Sequence, residues 1–351
     1  MTDYYARLSN FAGAVFDRHD VFRNVAKHIG DKRIFLTGGT GLFGQWVIAL
    51  AEWMHRENLA APRLTVLSRR DVLPQLPFVT SHLGTIEGFE FSSGTFDLLI
   101  HLATPSASDT FNGMTDRDKL DQLYAGTRHV LDFTARHVTG RSLFASSGAV
   151  YGGFDFGRQD PIKENDRTAP LPSFNGIGLG LGKRVAEFLV MDRVRAGDVD
   201  AGIARAFSFV GPGLPTDLHY AIGNFVARAV RGEDIRINGD GLPVRSFMHM
   251  GDAMWWLFTV LLKGEAGDDF NVGSPEAVTI ADLATRVRDV VNPDIAVEVV
   301  GASNLSPGNP LNHYYVPDTS KSEAQLGLRL LTNLEDALAD YAAFLRSEGM
   351  K

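Results

Sequence analysis

Arg33-Ile34-Phe35-Leu36-Thr37-Gly38-Gly39-Thr40-Gly41-Leu42-Phe43-Gly44 is a short apolar run that breaks into glycines at 38, 41 and 44. An apolar-periodic stretch follows from Gln45. The pattern predicts strand, tight turn, helix. Gly38 permits a sharp exit from the strand, Gly41 lets a phosphate approach the backbone, and Gly44 lets the helix sit close on the sheet. The unpaired N–H groups of Leu42, Phe43 and Gly44 then stand at the positive end of the helix dipole, facing a pyrophosphate. Dinucleotide binding is the expectation.

Beyond the turn, Val47, Leu50, Ala51 and Met54 mark the buried face of that helix. Leu64-Thr65-Val66-Leu67 is a second strand, ending in Ser68-Arg69-Arg70. In this architecture an acidic residue there favours NAD and a basic one suits the 2′-phosphate of NADP. With two arginines and no carboxylate, the expected cofactor is NADP or NAD, leaning to NADP. Two solvated arginines in a loop is the plainer alternative. A third strand is expected near Gly88-Phe89-Glu90-Phe91 and a fourth at 96–103, whose end Leu102-Ala103-Thr104 passes close to the cofactor. A long helix is predicted from Asp116 to His137, then a fifth strand over Ser142–Ser147. Serines at the carboxyl end of a central parallel strand lie where such sheets bind ligands.

Gly176-Ile177-Gly178-Leu179-Gly180-Leu181-Gly182 precedes a good helix beginning at Lys183. Each glycine costs a helix ~1 kcal/mol relative to alanine, so either something lies close to that backbone or the helix starts late. Residues 201–207 form a sixth strand, after which the rhythm changes. The predicted organisation is α/β: a helical arm over 1–30, a doubly wound parallel (Rossmann) domain over 31–207, and a smaller C-terminal lobe over 208–351. That lobe is interleaved with returns to the main sheet and expected to bind substrate.

Composition limits the alternatives. With 44% hydrophobic and 22% charged residues a packed globular core is expected. A net charge of −8 without basic runs argues against a nucleic-acid partner, and absent cysteines leave no thiolate metal site. The sequence lacks a membrane-length apolar stretch and a signal pattern at Met1-Thr2-Asp3-Tyr4-Tyr5, so a cytoplasmic location without membrane attachment is expected.

The ordered motifs resemble the extended short-chain dehydrogenase/reductases, in particular the nucleotide-sugar epimerases and dehydratases. They are the Thr37–Gly44 turn, Ile100–Ala103, Ser146-Ser147-Gly148-Ala149-Val150-Tyr151-Gly152, Lys183 with its helix, and Arg205–Gly213. Gly239-Asp240-Gly241, Arg245-Ser246-Phe247 with Asp252, and Phe270-Asn271-Val272-Gly273 come later. The resemblance implies that Ser147 hydrogen-bonds the sugar oxygen being oxidised. Lys183 would hold the nicotinamide ribose and, by its charge, lower the pKa of a nearby phenol. Asn224 and Arg245 would grip the diphosphate of a nucleoside-diphosphate sugar, with Ser106 also near substrate. A homodimer through the helix of Lys183 and the one before it is likewise implied.

Three positions depart from the family pattern. Leu179 stands where the catalytic tyrosine belongs, one turn before Lys183. Thr85 replaces an aspartate expected to bind the adenine edge, and Gly148-Ala149 replace the Asp-Glu pair of the glucose 4,6-dehydratases. A substitute acid/base could be Tyr151, a tyrosine from another segment, a substrate-assisted path, or a relay through Ser147 and ribose to Lys183. An enzyme that receives a keto-sugar would not need that phenol. The competing readings are a dinucleotide-binding pseudoenzyme, serving as sensor or partner subunit, and an ordinary site in which Leu179 is an engineered replacement. Retained Ser147, Lys183 and Arg245 favour the enzyme.

Overall fold

The computed structural model describes residues 2–91, 93–105, 109, 113–152, 159–173, 175–216, 220–301 and 314–350. Two helices, α1 (Thr2–Asp17) and α2 (Asp20–Ile29), lead into β1 (Arg33–Thr37) and α3 (Leu42–Arg56). β2 (Arg63–Ser68), β3 (Val79–Leu83) and β4 (Leu98–His101) follow. Next come α4 (Asp116–His137), β5 (Arg141–Ser147), a 3-10 turn (Gly148–Tyr151), α5 (Gly178–Arg195) and β6 (Asp200–Ala206).

The later chain contributes β7 (Phe209–Val210), α6 (Ala221–Val230), β8 (Ile235–Ile237), β9 (Val244–Arg245) and β10 (Met248–His249). After these come α7 (Met250–Lys263), β11 (Asp269–Val272), β12 (Val278–Thr279), α8 (Ile280–Val291) and β13 (Val297–Val299). The last elements are β14 (Tyr314–Tyr315), α9 (Ser320–Leu326) and α10 (Leu334–Ser347).

The main sheet has seven strands in the order β11-β6-β5-β4-β1-β2-β3, all parallel. The order reverses between β1 and β4, so their carboxyl ends open a crevice at the switch point. Side chains alternate across the sheet. Ile34 and Leu36 pack on one side with α1, α3 and α7, whereas Phe35 packs on the other with Val130, Leu131 and Phe133 of α4. β11 comes from the later half of the chain yet completes the main sheet beside β6. Away from the sheet, β8 pairs with β13, and β9 lies between β12 and β14.

One element expectation is corrected, and the alternative left open at the glycines before Lys183 falls to the close approach. The third strand is Val79–Leu83, which pairs with β2 from Leu64 to Ser68. The later aromatic run is a buried plug instead: the Phe89 ring stacks 5.5 Å from Phe35 and stands edge-on to Phe133. α5 begins at Gly178 rather than Lys183, because its glycines are contact points. An ideal Cβ on Gly178 would lie 2.4 Å from the Asp116 carbonyl oxygen, and one on Gly180 2.5 Å from that of Ala149. No helix among the described residues is long and apolar enough to cross a membrane.

Candidate active site

The glycine turn joins two strand ends. Gly38 has φ +74°, and a Cβ there would come within 2.6 Å of the Ala103 nitrogen. Only glycine suits both the left-handed backbone and that approach. Beneath it, the Thr37 hydroxyl accepts from the Ala103 N–H at 3.2 Å and meets His101 Nδ1 at 2.7 Å. Gly44 brings α3 onto the turn, since a Cβ would sit 2.2 Å from the Gly38 oxygen. A Cβ on Gly41 would meet only the Gly38 oxygen, at 3.3 Å, so its outer side is open. No side chain caps the helix start, and the N–H groups around Leu42 and Phe43 remain for an anion. The cradle therefore fits the pyrophosphate of a nicotinamide dinucleotide.

Around this turn, Leu102 is buried, Ala103 half-buried and Thr104 exposed. Ser68 is buried and donates to the Arg70 carbonyl at 2.6 Å. Arg69 and Arg70 are exposed, and neither guanidinium pairs with a carboxylate among the described residues. Thr85 is exposed just beyond β3. Ser106 lies outside the described residues.

Ser146 and Ser147 end β5 with different roles. Ser146 points into a buried network, donating to Glu187 Oε1 at 2.6 Å. Arg205 donates to both Glu187 oxygens, at 2.9 and 2.8 Å, and to the Tyr151 hydroxyl at 2.8 Å. Tyr151 in turn donates to Asn271 Oδ1 at 2.7 Å. These bonds correct the expectation for Tyr151. Its ring is fully buried, its hydroxyl already has a donor and an acceptor, and burial pushes its pKa up. It is a structural strut, not an acid/base facing substrate. Ser147 is half-buried, and its Oγ accepts from the Ala149 N–H at 3.1 Å.

Lys183 is almost wholly buried and donates to the Ala145 carbonyl at 2.6 Å. It shares a small cavity with His101, Ser146 and Glu187. Burial lowers its pKa to about 8, with Glu187 opposing that shift. Leu179 lies one turn earlier on α5, half-buried, with no ionisable group to offer.

Across from Ser147, the later half of the chain brings Arg245 and a residue the sequence did not single out, Tyr315. The two are register partners on β9 and β14. Arg245 donates to the Val244 carbonyl at 2.8 Å and pairs with no carboxylate among the described residues. Burial lowers its pKa while Tyr315 opposes that shift. The Tyr315 hydroxyl lies beside Ser147 at the start of the 3-10 turn, where an ideal Cβ on Gly148 would stand 2.6 Å from it. Its ring lies 4.6 Å from that of Phe207. Burial raises its pKa to about 12, opposed by the nearby Ser147 hydroxyl and the Arg245 charge. Asn224 sits half-buried on α6, on a different element from either Ser147 or Tyr315. No spacing rule links Tyr315 to Ser147 over such a distance in sequence, so only the fold could reveal the pair.

The profile of the family described as "NAD dependent epimerase/dehydratase family" matches residues 34–273. UDP-glucuronic acid decarboxylase 6 of Arabidopsis thaliana is 28% identical over 321 residues, covering 90% of this chain and 89% of the relative. Among solved structures, epimerase Mth375 of Methanothermobacter thermautotrophicus superposes with a TM-score of 0.77 at 17% identity, covering 93% of this chain and 96% of its own. MoeE5 in complex with UDP-glucuronic acid and NAD superposes with a TM-score of 0.73 at 22% identity, covering 90% and 99%. The dinucleotide turn, the seven-stranded sheet and the match over most of the chain agree: this protein belongs to the NAD dependent epimerase/dehydratase family of enzymes.

Proposed function

We propose that the chain oxidises a ring hydroxyl of a UDP-sugar, with UDP-glucuronic acid as the first substrate to test. The observation that carries this reading is the convergence, at the carboxyl end of β5, of Ser147, Tyr315 and an Arg245 without a carboxylate partner among the described residues. Ser147 would hold the hydroxyl, and the Arg245 fork suits a diphosphate. Bound on the Gly38–Gly44 cradle, an oxidised nicotinamide supplies a hydride acceptor. The residues around it orient the sugar and manage its protons.

Gly148 and Ala149 bear on the step after oxidation. Elimination of water from a sugar needs an acid and a base at the carbons involved, and neither position carries one. A ketone placed β to a carboxylate loses CO2 as the C–C bonding electrons move toward the carbonyl. That step requires no base from the protein at carbon. The similarity to UDP-glucuronic acid decarboxylases supports the same choice. The opposing reading, a dinucleotide-binding protein without turnover, rests on Leu179.

Cofactor choice belongs to the same proposal. The family description and the NAD-bound MoeE5 structure favour NAD, against the leaning drawn from Ser68-Arg69-Arg70. The two exposed arginines are the local argument for a 2′-phosphate.

Purified protein incubated with UDP-glucuronic acid or UDP-glucose, with NAD or NADP, tests both parts. Expected are CO2 release and a UDP-pentose from the first sugar. C4 epimerisation without CO2 would replace decarboxylation by epimerisation. Dinucleotide binding with no change in any nucleotide sugar would favour the non-enzymatic reading. If Arg69 holds a 2′-phosphate, Arg69→Ala weakens NADP roughly tenfold or more while sparing NAD, from a charge-assisted bond of ~1.5–3 kcal/mol. Equal effects on both would remove the arginine from cofactor choice.

A further inference from the structure

Oxidising an alcohol to a ketone releases a proton as well as a hydride, and Leu179 cannot receive it. Among the described residues, the other titratable groups gathered near the carboxyl end of β5 are already committed. Tyr151 is locked between Arg205 and Asn271. Glu187 is held by Arg205 and Ser146. His101 is buried against Thr37, and Lys183 turns its ammonium to the Ala145 carbonyl. The phenol beside Ser147 is Tyr315.

A second observation ties this phenol to the departures from the family pattern. An ideal Cβ on Gly148 would lie 2.6 Å from the Tyr315 hydroxyl oxygen and 2.9 Å from the edge of the Phe207 ring. Any side chain at 148 would therefore occupy the space that the phenol fills. A tyrosine absent at 179, a side chain absent at 148 and a tyrosine delivered by β14 form one consistent rearrangement. β14 is itself fixed by pairing with β9, which sets Arg245 beside the phenol. The Phe207 ring, tilted 35° to that of Tyr315, supports its face.

We infer that Tyr315 is the catalytic acid/base of this enzyme, taking the proton of the sugar hydroxyl held by Ser147 and returning it when the carbonyl is reduced. The inference rests on the nucleotide-sugar reading above. In the forward step the O–H bond of the sugar breaks and its proton forms a bond to the Tyr315 phenolate oxygen. The carbinol C–H leaves as hydride, with both electrons, to the oxidised nicotinamide, and C–O becomes C=O. In the return step the hydride comes back to carbon, and the Tyr315 O–H gives its proton to the oxygen. The base form must be the phenolate, so oxidation rises with pH through the phenol's titration. The Arg245 charge favours that form and ties phosphate binding to proton transfer.

Tyr315→Phe keeps the ring against Phe207 and removes only the hydroxyl. Expected is an affinity for the UDP-sugar, by calorimetry, within about threefold of the parent. Its kcat should fall roughly 10²–10⁴-fold, with loss of the alkaline rise in rate. Adding Leu179→Tyr to this variant should recover part of the rate, since it supplies a phenol one helical turn before Lys183. A Tyr315→Phe enzyme that turns over within threefold of the parent overturns the assignment. So does a loss confined to substrate affinity.

A readout independent of turnover is phenolate absorbance in the near ultraviolet. The parent-minus-Tyr315→Phe titration should show one phenol, and Arg245→Gln should move it to higher pH. A phenol indifferent to Arg245→Gln overturns the role. If the parent converts no nucleotide sugar, the enzymatic reading fails first and the acid/base assignment falls with it. The titration then still reports whether Arg245 tunes Tyr315.

Discussion

His101 and Lys183 share a buried cavity behind the carboxyl end of β5, and each is displaced from its ordinary titration in the direction that disfavours charge. Burial, reinforced by the Lys183 charge, lowers the His101 pKa from 6.5 to about 3. Between those values the unfolded chain binds a proton that the folded protein refuses. The stability this provides is complete above about pH 6.5 and is lost as pH falls toward and through about 3. Urea midpoints measured across that window should drop with acidity, and His101→Asn should show a shallower acid limb. An unchanged slope would mean another group sets it. At this scale local spacing marked the glycine turn, whereas Ser147 and Lys183 were singled out through the family resemblance. The sequence could not identify Tyr315, whose meaning depends on a strand pairing formed far along the chain. It also misjudged Tyr151, whose neighbours Arg205 and Asn271 come from separate strands of the same sheet.

An element with strong periodicity was legible almost to the residue: Asp116–His137 is the helix the pattern predicts. α5 was legible only from Lys183 onward, because propensity treats glycine as a cost and is blind to what packs against it. The structure shows a helix whose first turns lie directly on α4 and the 3-10 turn. Gly180→Ala tests that account, since two effects oppose each other. Alanine improves helix propensity by ~1 kcal/mol, whereas overpacking costs ~1–3 kcal/mol. A Cβ there would stand 2.5 Å from the backbone oxygen of Ala149, which cannot rotate aside as a side chain can. Overpacking should win, giving a lower Tm and a displaced 3-10 turn beside Ser147. A Tm equal to or above that of the parent would show that the close approach relaxes freely.

The whole molecule is closed by contacts between distant parts of the chain, and two of its outer helices leave aromatic side chains uncovered. Phe188 on α5 is 62% exposed and Tyr124 on α4 is 43% exposed. The homodimer implied by the family resemblance would cover both. Sedimentation should then give twice the chain mass for the parent and the chain mass for Phe188→Glu. A parent already sedimenting at the chain mass, 38.3 kDa, would refute the dimer. Elsewhere, the segment that precedes the nucleotide strand is seated on the last helix. Tyr4 and Phe11 meet the Phe344 ring at 6.0 and 5.6 Å, Arg7 pairs with Glu348, and Arg18 pairs with Asp340 at 2.6 Å. During biosynthesis this seat is missing for a time. Arg7 and Glu348 are 341 positions apart, so α1 leaves the ribosome long before α10 exists. At roughly 5–20 residues per second, the interval is on the order of tens of seconds. Throughout it, Tyr4 and Phe11 lack the Phe344 ring and Arg7 and Arg18 lack their carboxylates, so the first helix of the nascent chain is incompletely docked.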